Sequence, residues 1–395
     1  MSLSNEMTTG VNALVDEMID IRRMLHAQPE LSFNETATTA IIREHLGALD
    51  VREEACPTET GAVFTLEGGK PGRTVLLRAD IDGLPVQEEV DLPFASRAEG
   101  RMHACGHDVH TATLLGVASA LTARAEKLPG RYIFVFQPAE EVVSGAQAMV
   151  DGGLLERFDP AAAIGCHVAS ALPVGMVVSR PGLLMAACRG LRVSVSGSGG
   201  HGALQPRLGN VVLAVARFAD QLDRVVADLG SDGTACVCSP GMVTAGSAPN
   251  VVPKKAVLLG TLRFFDPDQL AEAERRLSSL ASEVAVEFDV EVSVEQTYRT
   301  DAVRNDPVVT GRVLDAVRGV LGKAQVLEVS SPVAASDDVS AFLDRVPGCY
   351  LLVGGALPDG SSGNHHSPTF SIDEGALGVG ATALTAAAIN LAVPQ

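Results

Sequence analysis

The chain reads as an α/β protein built on a mostly parallel sheet and interrupted by an α+β insert, and three observations predict this. Apolar runs such as TVLLRADID (74–82), YIFVFQPAEE (132–141), AAIGCHV (162–168) and CYLLVGG (349–355) do not alternate with polar residues, the pattern of strands covered on both faces. Between them, Val11 to His26, Thr36 to Leu49, Asp108 to Ala125 and Gly311 to Leu321 carry apolar residues at helical spacing. From about Ala186 to about Glu295 the order changes to strand, helix, two strands, helix, strand: the β-α-β-β-α-β pattern of a small sheet with helices on one face. The α/β pattern resumes after Tyr298, so the divisions fall at 1–185, 186–295 and 296–395, with the outer two forming one domain.

Taken in order, MSLSNEMTTG has no basic start and no apolar centre, so a short disordered lead-in is expected rather than a targeting signal. Each of the first three strands then ends in polar groups: Asp80 and Asp82, Glu140 and Glu141, and His167. In open sheets the ligand crevice lies beyond the strand C-termini, where these residues would converge. The insert follows as LRVSVSG, NVVLAVARFADQLDRVV, strands around CVCSPGMVTAG and AVLLGTLRFF, DQLAEAERRLSSLASEV and VEVSVE. Gly375 to Gln395 carries no charge, but it consists largely of Ala, Gly and Thr with Asn390 inside, so a helix packed on the core is expected rather than a membrane span.

With 395 residues, 46% hydrophobic and 20% charged, the chain has material for a sizeable core, which excludes wholesale disorder. The formal charge of -18 repels polyanions, so neither nucleic acid nor an acidic membrane is an expected partner, and small-molecule chemistry is favoured. Seven cysteines, an odd number without a C-x-x-C pair, suit a reducing compartment; a cytoplasmic protein is expected.

The densest chemical signal is MHACGHDVH (102–110), one thiol and three imidazoles around a glycine at the mouth of a helix. Cys105 and His107 stand two apart, which lets them share a metal from a loop. Single histidines at a helix start often only cap it; four donors together favour metal. Glu140 and Glu141 follow a buried strand, and adjacent side chains diverge, so one can bind metal while the other faces a reacting water. The plain alternative is acid at a helix N-terminus, which the helix dipole favours. With His167 and the double histidine of NHHSP (364–368), the set Cys105, His107, Glu141, His167 and His366 offers five donors, a number suited to two metals sharing a bridge. The insert displays His201 in the glycine-rich SGSGGHGALQP (196–206), and Arg263 in GTLR is either a fork for a carboxylate or a surface strand arginine.

These residues resemble the aminoacylase and hippurate-hydrolase family of dinuclear metallohydrolases, which includes the indole-acetyl-amino-acid hydrolases. The resemblance runs through RRMLHAQPELSFNETAT, LLRADIDGLPVQEE, MHACGHDVHTATLLG, FQPAEE, GGHGALQP, AGSAPNVVP, GTLRFFD and NHHSPTFSIDE, in the family's order. It implies that Cys105, His107, Glu141, His167 and His366 hold two divalent metal ions, with zinc or manganese first and cobalt or nickel as further candidates. It implies that Glu140 is the general acid/base, that His201 reaches the partner subunit's site, and that Asn250 and Arg263 position substrate. The implied fold is a catalytic α/β domain with an inserted lid that forms a homodimer. The implied reaction cleaves the amide of an N-acyl-L-amino acid, hippurate-like or with another acyl or aryl-acyl group.

Two departures bear on specificity. Related exopeptidases carry a metal-binding histidine where this chain has Arg78, which favours acyl-amino acids over peptides. ASDDVS (335–340) stands where Ser-Glu-Asp-Phe is expected, altering Asp337, Asp338 and Val339 near the metal loop. The alternatives are a metallo-dipeptidase or carboxypeptidase of the same family, a cysteine hydrolase using Cys105 and His107, and a catalytically silent dimeric binding homologue.

Overall fold

The structure, a computed structural model, describes residues 3–204, 207–231 and 233–394. Met1 and Ser2 of the lead-in, and Gln205 and Pro206 of the glycine-rich motif, lie outside the described residues. The chain divides into two compact units, Met1–Leu184 with Arg304–Ser330 and Asp338–Gln395, and Met185–Val303 with Ser331–Asp337.

In the first unit an eight-stranded sheet runs in the order Arg52–Glu54, Ala62–Glu67, Pro129–Gln137, Lys70–Asp80, Ala162–Pro173, Gly348–Ala356, Val177–Ser179, Val326–Glu328. The central strands Pro129–Gln137, Lys70–Asp80, Ala162–Pro173 and Gly348–Ala356 pair in parallel, as their continuous apolar runs require. The strands Arg52–Glu54, Ala62–Glu67 and Val177–Ser179 add antiparallel pairings. The helix His107–Thr122 is buried along nearly its whole length, so its sequence shows no polar face. Gly375–Ala392, long and apolar enough by composition to span a membrane, lies 78% buried in this unit, packed on His107–Thr122 and Pro307–Leu321.

The start of the chain differs from expectation. Leu3–Asn12 is a helix that packs on Gly375–Ala392, with Met7 and Val11 buried in the core, so two apolar residues four apart are enough to dock a segment too polar for a targeting signal. A break then separates it from Val15–His26, which the continuous pattern from Val11 had merged.

The second unit holds a four-stranded antiparallel sheet in the order Val237–Ala245, Lys255–Phe264, Ala187–Ser196, Glu291–Thr300. Helices Val211–Gln221 and Pro267–Phe288 complete the expected β-α-β-β-α-β order. Each helix start is specified locally: Asn210 caps the first, and Asp266 with Gln269 forms a capping box ahead of Pro267 on the second. The division expected after Glu295 falls inside the strand Glu291–Thr300, and 331–337, which follows the helix Pro307–Leu321 in the chain, belongs to this unit.

Candidate metal centre

The crevice is built where the central parallel strands stop. Lys70–Asp80 delivers Asp80 and then Asp82, and Pro129–Gln137 leads into Glu140 and Glu141. His167 is not at the end of its strand as expected, since Ala162–Pro173 continues along Gly348–Ala356. Pairing with Lys70–Asp80 stops at Arg78 and Gly165, however, so His167 still emerges where its central neighbour ends. Gly106 turns the chain between Cys105 and His107 with φ +89, and a Cβ there would stand 2.4 Å from Cγ1 of Val168. Only glycine permits the donors on either side of it to face one crevice.

Hydrogen bonds fix which nitrogen each histidine presents. The Nδ1 of His107 faces Oδ1 of Asp82 at 3.2 Å, and Nδ1 of His167 faces the Val168 carbonyl at 2.6 Å. In their neutral form both rings therefore carry the proton on Nδ1 and turn Nε2 inward as the free nitrogen. His110 differs: its Nε2 accepts from the Val168 amide at 2.8 Å and its Nδ1 donates to Asp80 at 2.6 Å, leaving neither nitrogen for a metal. Nothing in the local pattern around His107, His110 and His167 distinguishes them in this way.

Among the described residues, three of the five donor sets whose atoms lie within 4.8 Å of one another draw on the residues chosen from sequence: Cys105, His107 and His167; Cys105, Glu141 and His366; and His107, Glu140 and Glu141. Cys105 is common to the first two, and its sulfur is 3.4 Å from Nε2 of His167. Nε2 of His107 and Oε1 of Glu141 are buried without a hydrogen-bond partner, a cost that a bound cation removes. The residues thus fit a pair of divalent ions in both donor type and vacancy of their lone pairs.

The electrostatics of the protein alone are strained. Burial, then Asp82 and Asp80, push the Glu141 carboxyl up to about 8 against the pull of His107. Burial lowers the affinity of His107 for a second proton, but Asp80 and Asp82 outweigh it and hold the ring well above its usual range. Burial and Glu141 raise the Cys105 thiol well above its usual value. Concentrated positive charge would relieve the carboxylates and ionise the thiol.

A scaffold that sequence reasoning did not find holds the two glutamates. Asp82 accepts from the Glu140 amide at 3.1 Å, the Glu141 amide at 3.0 Å and the Ser32 hydroxyl at 2.7 Å. Glu35, fully buried, accepts from the Ala139 amide at 2.8 Å and Thr60 at 2.6 Å, which secures Ala139 at φ +56 just before the pair. The motif ELSFNE was visible as part of the resemblance; its position against Glu140 was not. His365, the first histidine of NHHSP, also reaches this centre, at 3.7 Å from the Cys105 sulfur.

Arg78 offers the crevice no donor. It is buried and committed to Asp80 at 2.6 Å, Gln137 at 2.7 Å and Asp338 at 3.0 Å. Asp338 also accepts from Gln137 and from the Ala146 amide, so this part of the altered ASDDVS segment is an anchor within the catalytic unit. The remaining sequence-chosen residues lie in the other unit. His201 is exposed on the short strand Gly200–His201, paired with Val251–Val252, and with Asn250 it lines an open groove of about 700 Å³. Arg263 is half-buried near the end of Lys255–Phe264, where it donates to Thr261 at 2.8 Å.

A crevice at parallel strand ends, lined by nitrogen, oxygen and sulfur donors beside a glutamate, is equipped for metal-assisted hydrolysis. Residues 76–390 match the peptidase family M20/M25/M40, and the chain belongs to that family. It is a hydrolase acting on amide bonds. It is 34% identical over 368 residues to the N-acetyl-L-cysteine deacetylase of Bacillus subtilis, covering 93% of this chain and 86% of that protein. It is 33% identical over 390 residues to the thermostable carboxypeptidase 1 of Saccharolobus solfataricus, covering 97% of each. Among solved structures it is similar to the Bacillus subtilis YXEP protein, a dinuclear metal-binding peptidase from the M20 family, with a TM-score of 0.76, 30% identity and 96% and 98% of the two chains covered.

Proposed function

We propose that the protein cleaves the amide bond of N-acyl-L-amino acids, releasing a carboxylic acid and an amino acid, with Cys105, His107, Glu141, His167 and His366 holding two divalent ions. The observation that carries this reading is the pair of donor triads sharing the Cys105 sulfur. Zinc or manganese suits the set first, and cobalt or nickel next. Two ions bound there supply Lewis-acid polarisation of the amide carbonyl and strong acidification of a water. Glu140 takes the proton of the attacking water and returns it to the departing amine, a step amide cleavage needs because the amine leaves poorly as an anion. Its amide, held by Asp82, keeps it beside the metal-facing Glu141.

His201 donates to the developing oxyanion, and Asn250 and Arg263 position the substrate. Geometry within the insert bears on how. Arg263 pairs with Cys188 at the end where the chain enters and leaves the sheet, while Lys255 pairs with Ser196 at the opposite end, next to the His201 turn. Eight strand residues, about 26 Å at about 3.3 Å each, separate those ends, far more than one acyl-amino acid spans. His201 and Arg263 of one chain therefore serve different substrates, and His201 acts on the partner subunit's site in a homodimer. The edge strand Val237–Ala245 supports such a pairing, with Val237, Met242 and Val243 each more than two-fifths exposed on an open row of backbone groups. The seven unpaired cysteines suit the cytoplasm.

One observation favours a second reading, cleavage of peptides: the carboxypeptidase relative is about as similar as the deacetylase. The zinc- and manganese-loaded protein should be offered acetyl-, benzoyl- and indole-acetyl-amino acids beside dipeptides. Faster turnover of acyl-amino acids, abolished by chelation, is expected; preference for dipeptides would establish the second reading, and activity that survives chelation would establish a cysteine hydrolase.

A further inference from the structure

We propose that His365 is a positioning residue whose Nδ1–H holds the sulfur of Cys105 by a hydrogen bond, while His366 beside it is the ligand; this rests on the reading of Cys105 as the donor shared by two ions. Two neighbouring histidines in NHHSP look equivalent in sequence, and the structure separates them. The Ser170 amide donates to Nε2 of His365 at 3.3 Å, so that nitrogen carries a lone pair. The proton of the ring is then on Nδ1, which faces the Cys105 sulfur at 3.7 Å, within reach for a hydrogen bond to sulfur. The Cys105 carbonyl is a competing acceptor for a proton of this ring. Like His110, His365 has both nitrogens engaged by the protein and none left for an ion.

The ring is also held from other sides. It packs on His167 with centroids 5.2 Å apart and on Phe370 at 4.8 Å, and the adjoining His366 amide donates to the Ala104 carbonyl at 2.8 Å, tying the NHHSP loop to the Cys105 loop. His366, by contrast, is exposed, sits at φ +64, and joins Cys105 and Glu141 in a donor set that excludes His365. A thiolate shared between two cations spreads its charge over both; an N–H aimed at it fixes its direction and lowers the energy of its lone pairs.

The test uses the full-length protein loaded with cobalt(II), in its parent form and as His365→Leu and His365→Asn. The parent should show a thiolate-to-cobalt absorption band. In His365→Leu the band should move to lower energy, and cobalt should pass to a competing chelator about 10- to 100-fold more readily, with two ions per subunit still bound at saturation. His365→Asn, whose amide N–H can stand where Nδ1–H stood, should restore both. In the zinc-loaded parent, nitrogen-15 spectra of labelled histidine should show His365 protonated on Nδ1 alone. An unchanged band and unchanged retention in His365→Leu would overturn the proposal and give the N–H to the carbonyl. Loss of one ion in that variant would overturn it by making His365 a ligand. A parent with no thiolate band would instead refute the shared-sulfur reading, and the proposal with it.

Discussion

Asp82 accepts from four groups beside the centre, and changing it to asparagine tests the scaffold directly. Oδ1 serves Nδ1 of His107 and the Glu140 amide, whereas Oδ2 serves the Ser32 hydroxyl and the Glu141 amide. Asparagine keeps one oxygen. If that oxygen faces His107, the new NH2 meets Ser32, which can rotate to accept, and the Glu141 N–H, which cannot. One buried donor is orphaned, at about 1–3 kcal/mol. In the opposite orientation two N–H groups are orphaned, or His107 moves its proton to Nε2 and blocks the nitrogen that faces the metal. The first orientation therefore wins. Asp82→Asn should melt several degrees lower as the metal-free protein, and zinc-loaded it should lose metal to a chelator about 10- to 100-fold more readily. The melt reports the orphaned amide, and the competition reports the loss of the negative charge behind His107 and of the anchor on the Glu141 amide. A variant equal to the parent in both would refute the view that Asp82 organises His107 and the glutamate pair together.

Three further outcomes are expected. Glu140→Gln should keep its metal content while turnover falls at least about 100-fold, whereas Glu141→Gln should fail to fill both sites, measured by metal analysis and steady-state rates. Cys105 should react with an alkylating reagent much faster after chelation than before, read by mass spectrometry of its peptide; equal rates would count against its binding metal. His201→Ala should cut turnover by about 100-fold with normal metal content, and mixing it with Glu140→Gln under subunit exchange should restore activity, since one site of the heterodimer has Glu140 from one chain and His201 from the other. No recovery, with exchange verified, would leave His201 acting within its own chain.

The sequence carried the donors but not their orientation. Cys105, His107, Glu141, His167 and His366 stood out because MHACGHDVH crowds a thiol and three imidazoles into nine residues and the paired acids and further histidines follow apolar runs or sit in a glycine-rich loop. The chemistry that selects among histidines lies in single hydrogen bonds to the backbone of distant strands, such as Val168 to His110 and Ser170 to His365, and no local pattern encodes these. Ser32 and Glu35 were hidden for a similar reason, since a short polar loop gains meaning only when it packs against Asp82 and Ala139. The insert was legible because its caps and alternation are local, at Asn210 and Asp266 for example. Its last segment, 331–337, was not, because it rejoins the insert only after the chain has passed through 304–330 of the other unit, and no local pattern marks that return.

The docking of Leu3–Asn12 on Gly375–Ala392 also sets a schedule for folding. Leu3–Asn12 finds this packing partner only once the whole of 13–374 has been made, and the strand Gly348–Ala356 follows long after Ala162–Pro173, one side of which it covers. The catalytic unit is thus dominated by pairings of very high sequence separation, which close slowly and leave apolar surface waiting. The insert, assembled almost wholly from 185–303, has its strands and helices at hand much earlier. A nascent chain therefore carries a nearly complete insert and an unfinished open sheet with exposed strands, and removing Gly375–Ala392 strips the helix Leu3–Asn12, Met7 and Val11 with it, of a surface it packs on.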